Sequence, residues 1–151
     1  MALRKIAISV GEDLDRYLET RLPADGNVSG AINTLAKRYS EIVRWSLPYF
    51  SLSEWLMLFD VLGPTYNPAD VEFSDFRAVL LPGVERYGLS DKWKVDVATL
   101  AERIKYLTSC EIAALLDAAD RFWAGTGGLG MRNADRVVQI VGLSRLRSET
   151  Q

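Results

Sequence analysis

The 151-residue chain contains no histidine and one cysteine, Cys110. Histidine is the commonest general base near neutral pH and the commonest nitrogen ligand for zinc or nickel. Without it a Ser-His-Asp or Cys-His site cannot be built, and a single thiol makes no transition-metal ligand set. Carboxylates alone can hold magnesium or calcium, yet the sequence shows neither an EF-hand loop nor a tight acidic cluster. The expectation is a protein that is not an enzyme and takes no cofactor and no metal. One cysteine also excludes an internal disulfide, which fits a reducing cytoplasm. Its setting in the apolar helical stretch "SCEIAALL" predicts a buried, inert thiol.

Long apolar runs are missing as well. None approaches the roughly 20 residues needed to span a bilayer. The start, "MALRKIAIS", lacks the apolar core and small-residue cleavage site of a signal peptide. These point to a cytoplasmic protein that makes no use of a membrane. Neither sign of charge dominates, with 18 Lys+Arg against 20 Asp+Glu, so there is no global pull toward nucleic acid or acidic lipid. Internal repeats and low-complexity segments are absent.

What is present is 48% hydrophobic sequence, enough for one domain or two small ones. The stretch "RKIAISVGEDLDRYLETRL", residues 4–22, changes rhythm midway. Lys5 to Val10 alternates apolar with small or polar side chains, the period of a strand with one buried face. From Gly11 onward Leu14, Tyr17, Leu18 and Leu22 follow the period of a helix. Asp25-Gly26-Asn27 is turn chemistry, and Ser29 is placed as the N-cap of a second helix. That helix carries Ile32, Leu35, Ala36, Tyr39 and Ile42/Val43 on one face. Strand, helix, turn, helix in about 45 residues is too little chain to bury both helical faces and satisfy a lone strand. The economical solution is a homodimer in which two strands pair antiparallel and the helices interlock.

The segment resembles the ribbon-helix-helix family of DNA-binding proteins, the Arc, MetJ and CopG type. The matching features are the strand "KIAISV", the polar helix start "GEDLDRYL" and the glycine-containing turn before "VSGAINTLAKRY". The resemblance implies that the paired strands enter the major groove of double-stranded DNA with Lys5, Ala7 and Ser9 facing the bases. Ile6, Ile8 and Val10 would then form the dimer core. Ser29 and Gly30, at the start of the second helix, would hold a phosphate, as a helix N-terminus does through its free N–H groups. Arg4, beside Lys5, would add a second phosphate contact. Ala7 departs from the pattern, because its methyl group can meet only a thymine methyl. Residues 1–45 carry seven basic against six acidic side chains, so the positive charge is local to Arg4 and Lys5.

The remaining hundred or so residues are too apolar for a disordered tail. Pro48 stops the second helix, and Ser51 with Glu54 makes a capping box for "SEWLMLFDVLG". "PTYNPAD" reads as a loop, "FSDFRAVLLPGVERYGL" as a helix with Pro82 as a kink or break, and "SDKWK" as a connection. Asp96 caps "VATLAERIKYL", Thr108 with Glu111 caps "SCEIAALLDAADRFW", and a last helix covers "NADRVVQIVGLSRL". "GTGGLG", residues 125–130, lacks both the preceding strand and the Lys-Ser/Thr of a phosphate loop, and reads as a linker. Trp55, Phe59, Trp93, Phe122 and Trp123, at helical spacing, read as core.

The expected fold is mainly α: a dimeric ribbon-helix-helix module over residues 1–47, with one strand and two helices, and an all-α bundle of four or five short helices over 48–151. The expected function is a sequence-specific DNA-binding transcriptional regulator, a repressor by preference. An antitoxin whose second domain masks a toxin is a special case. The alternative is an adaptor that uses the ribbon only to dimerise and the helical domain to bind a protein partner. Whether dimers associate further on DNA is left open.

Overall fold

The computed structural model describes residues 11–21, 26–63, 76–88, 94–124 and 133–148. They form seven α-helices: α1 Glu12–Arg21, α2 Val28–Trp45, α3 Leu52–Val61, α4 Phe76–Gly88, α5 Val97–Lys105, α6 Ser109–Trp123 and α7 Asn133–Val141, with a 3₁₀ turn at Leu143–Arg145. The described residues contain no β-strand, so the expected fold class with an N-terminal strand is corrected to a mainly helical one. A strand must take its backbone partners from a second strand, and the described residues of this chain supply none. The residues assigned to the strand, 5–10, lie outside the described set.

The chain divides into two compact units, Met1–Glu41 and Ile42–Gln151. In the first, α1 carries Leu14, Tyr17 and Leu18 half-buried on one face, and Glu12, Asp13 and Asp15 fill its first turn. Acidic side chains there complement the partial positive charge of a helix start. Arg16 pairs with Glu12 one turn earlier, at 3.1 Å. Both side chains are exposed, so the pair adds little stability.

The second unit has a true core, and α3 lies at its heart. Trp55, Met57, Leu58 and Phe59 are all fully buried. Burial of each large apolar side chain is worth about 1.5–3 kcal/mol. A file of aromatic rings links the N-terminus of α3 to α6. Phe50 meets Trp55 edge-on at 5.3 Å, Trp55 meets Phe59 at 5.4 Å, and Phe59 stacks on Phe122 at 4.6 Å. The ring of Trp123 turns edge-on to Phe122, and its Nε1–H donates to the Phe59 carbonyl at 2.9 Å. Leu80 and Val84 of α4, Leu100 and Ile104 of α5, Ile112 and Leu115 of α6 and Val137 and Val141 of α7 complete the cluster.

Local chemistry sets the element boundaries. Ser51 Oγ accepts from the Glu54 N–H while Glu54 Oε1 accepts from the Ser51 N–H, and Thr108 with Glu111 repeats this reciprocal arrangement. Asp96 caps α5 through the Thr99 N–H and hydroxyl. These bonds hold its carboxyl below the usual carboxylate range. Pro82 neither ends nor splits α4, which continues through it to Gly88. At Gly83 a Cβ would sit 2.5 Å from Val61 Cγ1, so only glycine lets α4 come this close to α3.

Cys110 is exposed, which corrects the buried thiol expected from the sequence. It is the second residue of α6, and the face that packs into the core begins at Ile112. The aromatic residues Trp55, Phe59 and Phe122 are core as expected, Trp123 is partly exposed, and Trp93 lies outside the described residues. "PTYNPAD" and "GTGGLG" lie outside them too. No helix among the described residues is long and apolar enough to cross a membrane.

Candidate functional site

Of the residues singled out for DNA contact, Arg4, Lys5, Ala7 and Ser9 lie outside the described residues, as do Ile6, Ile8 and Val10. Ser29 and Gly30 fall in the first turn of α2. Ser29 is not the cap. The Asn27 side-chain oxygen accepts from the Gly30 N–H at 3.3 Å, and the Asn27 carbonyl takes the first helical bond, from Ala31 at 3.0 Å. Asn27 is therefore the N-cap and Gly30 the third helical residue. Asparagine outranks the aliphatic residues around it for this role because its side chain is short and accepts locally. The consequence is specific. The Gly30 N–H is taken, and among the described residues the Val28 and Ser29 N–H groups have no partner. No acidic residue occupies that turn.

Helix α2 has two unlike faces. Val28, Ile32, Leu35, Tyr39 and Ile42 recur at alternating steps of four and three, the seam of a helix that packs along another helix. The seam is not buried: Val28 is 45%, Leu35 37% and Ile42 47% exposed. On the opposite side Gly30, Lys37 and Arg44 recur every seven residues, about 10 Å apart along the axis at 1.5 Å per residue. Lys37 and Arg44 are exposed, as is Arg38 on the flank. The Arg44 guanidinium lies 5.5 Å from the Trp45 ring centre. Helix α2 carries three cations against the single acid Glu41, whereas α1 carries four acids, Glu12, Asp13, Asp15 and Glu19, against two arginines.

The end of α2 belongs to the second unit. Val43 is buried with Ala113 and Ala114 of α6, and Leu47 packs beside them. The seven-residue line and the four-three seam were both present in the sequence. The line was missed because Gly30, Lys37 and Arg44 differ in character and only the helical period unites them.

Among the described residues, displaced pKa values belong to Asp96, Lys105 and Asp120. Burial, and secondarily the neighbouring Asp117 carboxylate, push the Asp120 carboxyl up. Lys105 is raised by its hydrogen bond to Glu102. No group of three or more His, Cys, Asp or Glu side chains among the described residues could hold a metal ion. A scan against protein-family models, a search of curated proteins and a search of solved structures each find no match for this chain.

Proposed function

We propose that the protein is a DNA-binding regulator that works as a homodimer in the cytoplasm, with its N-terminal unit as the DNA-contacting part. The observation that carries the reading is the two-faced helix α2. Its apolar seam has the spacing of a helix–helix contact, and its opposite side aligns Gly30, Lys37 and Arg44 behind a helix start whose Val28 and Ser29 N–H groups have no partner among the described residues. Free N–H groups and the helix dipole favour a phosphate oxygen, and cations spaced along the same line can follow a phosphate backbone. Arg4 and Lys5, adjacent in sequence ahead of α1, add positive charge to the same unit. The helical unit from Ile42 onward is assigned the role of binding a protein partner.

Gly30→Glu tests the reading. A Cβ at Gly30 would meet only the Asn27 side chain, at 3.6–3.7 Å, which is ordinary contact. Glutamate three residues after the cap also completes a capping box with Asn27 and removes a helical glycine, so the helix should be kept or strengthened. The variant should keep its oligomeric state and melting temperature and lose binding to every DNA sequence. DNA fragments selected from a random pool by the native protein supply the target. Affinity for that target should fall steeply with salt as counterions are released. Normal DNA binding by Gly30→Glu would show that this helix start is not the phosphate contact.

The acidic α1 favours a second reading, an adaptor that associates through the α2 seam and touches no DNA. Absence of DNA retention at low salt, with a dimer intact, would select it.

A further inference from the structure

Among the described residues of the second unit, four arginines lie over aromatic rings, and the four pairs are not alike. Arg103 lies 4.7 Å from the Phe50 ring centre and Arg136 lies 5.6 Å from that of Phe122. Both rings are buried. Both guanidiniums are also spent on the fold. Arg103 donates to the two Glu54 oxygens and to the Tyr49 carbonyl, and Arg136 donates to the Ala124 carbonyl.

The other two pairs face water. Arg44 lies 5.5 Å from the Trp45 ring centre, and Arg145 lies 5.2 Å from that of Tyr49. Trp45 is 70% exposed and Tyr49 57%. Neither guanidinium has a carboxylate partner among the described residues; Glu41, one turn before Arg44, makes no ion pair with it.

The fold brings these pairs to one strip of surface. Trp45 and Tyr49 are four residues apart, so their Cα atoms lie within about 14 Å of each other. Arg145 comes from the far end of the unit, which is tied to the same strip by the Arg147 N–H donating to the Phe50 carbonyl at 2.9 Å. Residues 42–50 and 142–148 together hold Arg44, Arg145 and Arg147 and no acid. Tyr49 also lines a cavity of about 340 Å³ between residues 48–50 and 102–111, with Arg103, Tyr106, Glu102 and Glu111. The acids here are largely matched. Glu54 is shared by Arg103 and Arg147, at 2.9 and 3.4 Å, and Glu102 pairs with Lys105. Glu111 alone stands against the two open guanidiniums, so the strip is positive in a chain whose formal charge is −2.

A ring beside an open guanidinium, repeated within a few residues, matches a polymer that repeats a flat base and a phosphate. Exposed Trp and Tyr rings stack on bases, and the guanidinium fork takes phosphate oxygens in pairs. A duplex keeps its base faces in its own stack, so such rings serve a strand whose bases are unpaired. An acidic peptide supplies the charge but no planar faces.

We infer that this strip of the second unit binds single-stranded nucleic acid, with Trp45 and Tyr49 stacking on bases and Arg44, Arg145 and Arg147 on phosphates. Trp45 and Arg145 have no part in the duplex contact proposed for the start of α2, so the test runs through them.

The experiment is fluorescence anisotropy of a dye-labelled 12-nucleotide oligo(dT), titrated with the full chain beside a strand of equal length made of abasic sites. Oligo(dT) should bind saturably, and the abasic strand at least tenfold more weakly. Trp45→Ala should weaken oligo(dT) binding about tenfold, the effect of one lost stacking contact, and leave the abasic strand unchanged. Arg145→Gln should weaken both strands and reduce the salt slope of log affinity by about 0.7. Both variants should keep the native melting temperature. Gly30→Glu should bind oligo(dT) as the native chain does, which separates failure of this site from failure of the duplex reading. Several results would overturn the proposal: equal affinity for the two strands, no saturation at 100 μM protein in 50 mM salt, native binding by either strip variant, or loss of oligo(dT) binding in Gly30→Glu. Competition by poly-glutamate or anionic phospholipid vesicles as effective as that of unlabelled oligo(dT) would overturn it too. An oligo(U) strand of the same length separates the sources, tighter binding indicating RNA and equal or weaker binding DNA.

Discussion

The two units handle the same kind of sequence pattern differently. Both contain helices with apolar residues three and four apart. From Ile42 onward nearly every such residue finds a partner in the same chain: Leu100 and Ile104 on α5, Ile112 and Leu115 on α6 and Val137 on α7 are all essentially without solvent contact. In the N-terminal unit Val28, Leu35 and Tyr39 of α2 stay 37–45% exposed. An amphipathic helix marks where a surface must be covered and is silent on what covers it. Five short helices can cover one another. The two helices described in the N-terminal unit are too little to bury the surface that stability requires, and among the described residues the α2 seam is open to a second chain.

The largest test of this contrast is Trp55→Ala. Trp55 has no exposure and touches Phe50 and Phe59, so the truncation leaves a cavity amid rings that cannot close over it. A cost of about 3–5 kcal/mol is expected, a large share of the total stability of a domain of this size. Thermal unfolding followed by near-UV circular dichroism should show the loss. A cost below about 1 kcal/mol would mean that the second unit has no tightly packed centre.

Leu35→Asp is the counterpart on the exposed seam. A carboxylate at 37% exposure in the chain alone is easily solvated, so the melting of the second unit should stay within about 0.5 kcal/mol of the native protein. If the seam is a homodimer contact, the same change buries a charge opposite apolar groups and sedimentation should show monomers at micromolar concentration. A native protein that is already monomeric would break the comparison, because the seam would then have no homodimer to support.

Helix starts give a finer comparison. Thr108→Ala opens a capping box on a helix with eight of its fifteen residues buried, and Asn27→Ala removes the cap of a helix that is mostly solvated. Each should cost about 1 kcal/mol locally. Only the Thr108 change should move the melting of the second unit, by about 2–4 °C for a chain of this length.

Legibility followed the same division. Ser51, Asp96 and Thr108 were readable as caps because the partner three residues on is a chemical requirement that packing does not alter. The aromatic core was readable because Trp55, Phe59 and Phe122 fall on a helical period. Of the two readings of Pro82, a kink or a break, the structure overturns the break. A proline's missing N–H and ring break a helix only if packing does not hold the turn together, and here Gly83 against Val61 and the buried Leu80 and Val84 keep α4 continuous. Cys110 was misjudged because an apolar neighbourhood in sequence is not a face in space. Ser29 was taken for the cap because Ser and Asn are near equals at that position, and the choice between them depends on where the backbone enters the helix. The cavity beneath Tyr106 was not legible at all. It depends on residues 48–50 meeting residues 102–111, a juxtaposition of the fold and not of any local motif.

The smallest effect comes from an acid of the second unit whose charge the fold disfavours, Asp120. Burial, and behind it the Asp117 carboxylate, raise the Asp120 pKa. Asp120 also sits in the last turn of α6, where the helix dipole opposes a negative charge. A carboxyl raised in the folded state destabilises the fold while it is ionised, at every pH above its raised pKa. As pH falls through that value toward the unfolded-state pKa, protonation removes the penalty. Asp120→Asn should therefore stabilise the protein at pH 7. The gain should be no more than about 0.5 kcal/mol, because the side chain is largely open to solvent and screened. The advantage should shrink as the solution is acidified. Asp96, whose pKa is shifted in the opposite direction, changes the pH profile of both proteins equally and cancels in their difference. The measurement is the difference in melting temperature between variant and native protein at pH 7 and again near pH 4. A difference that is negative at pH 7, or that grows on acidification, would show that Asp120 is held by a favourable contact.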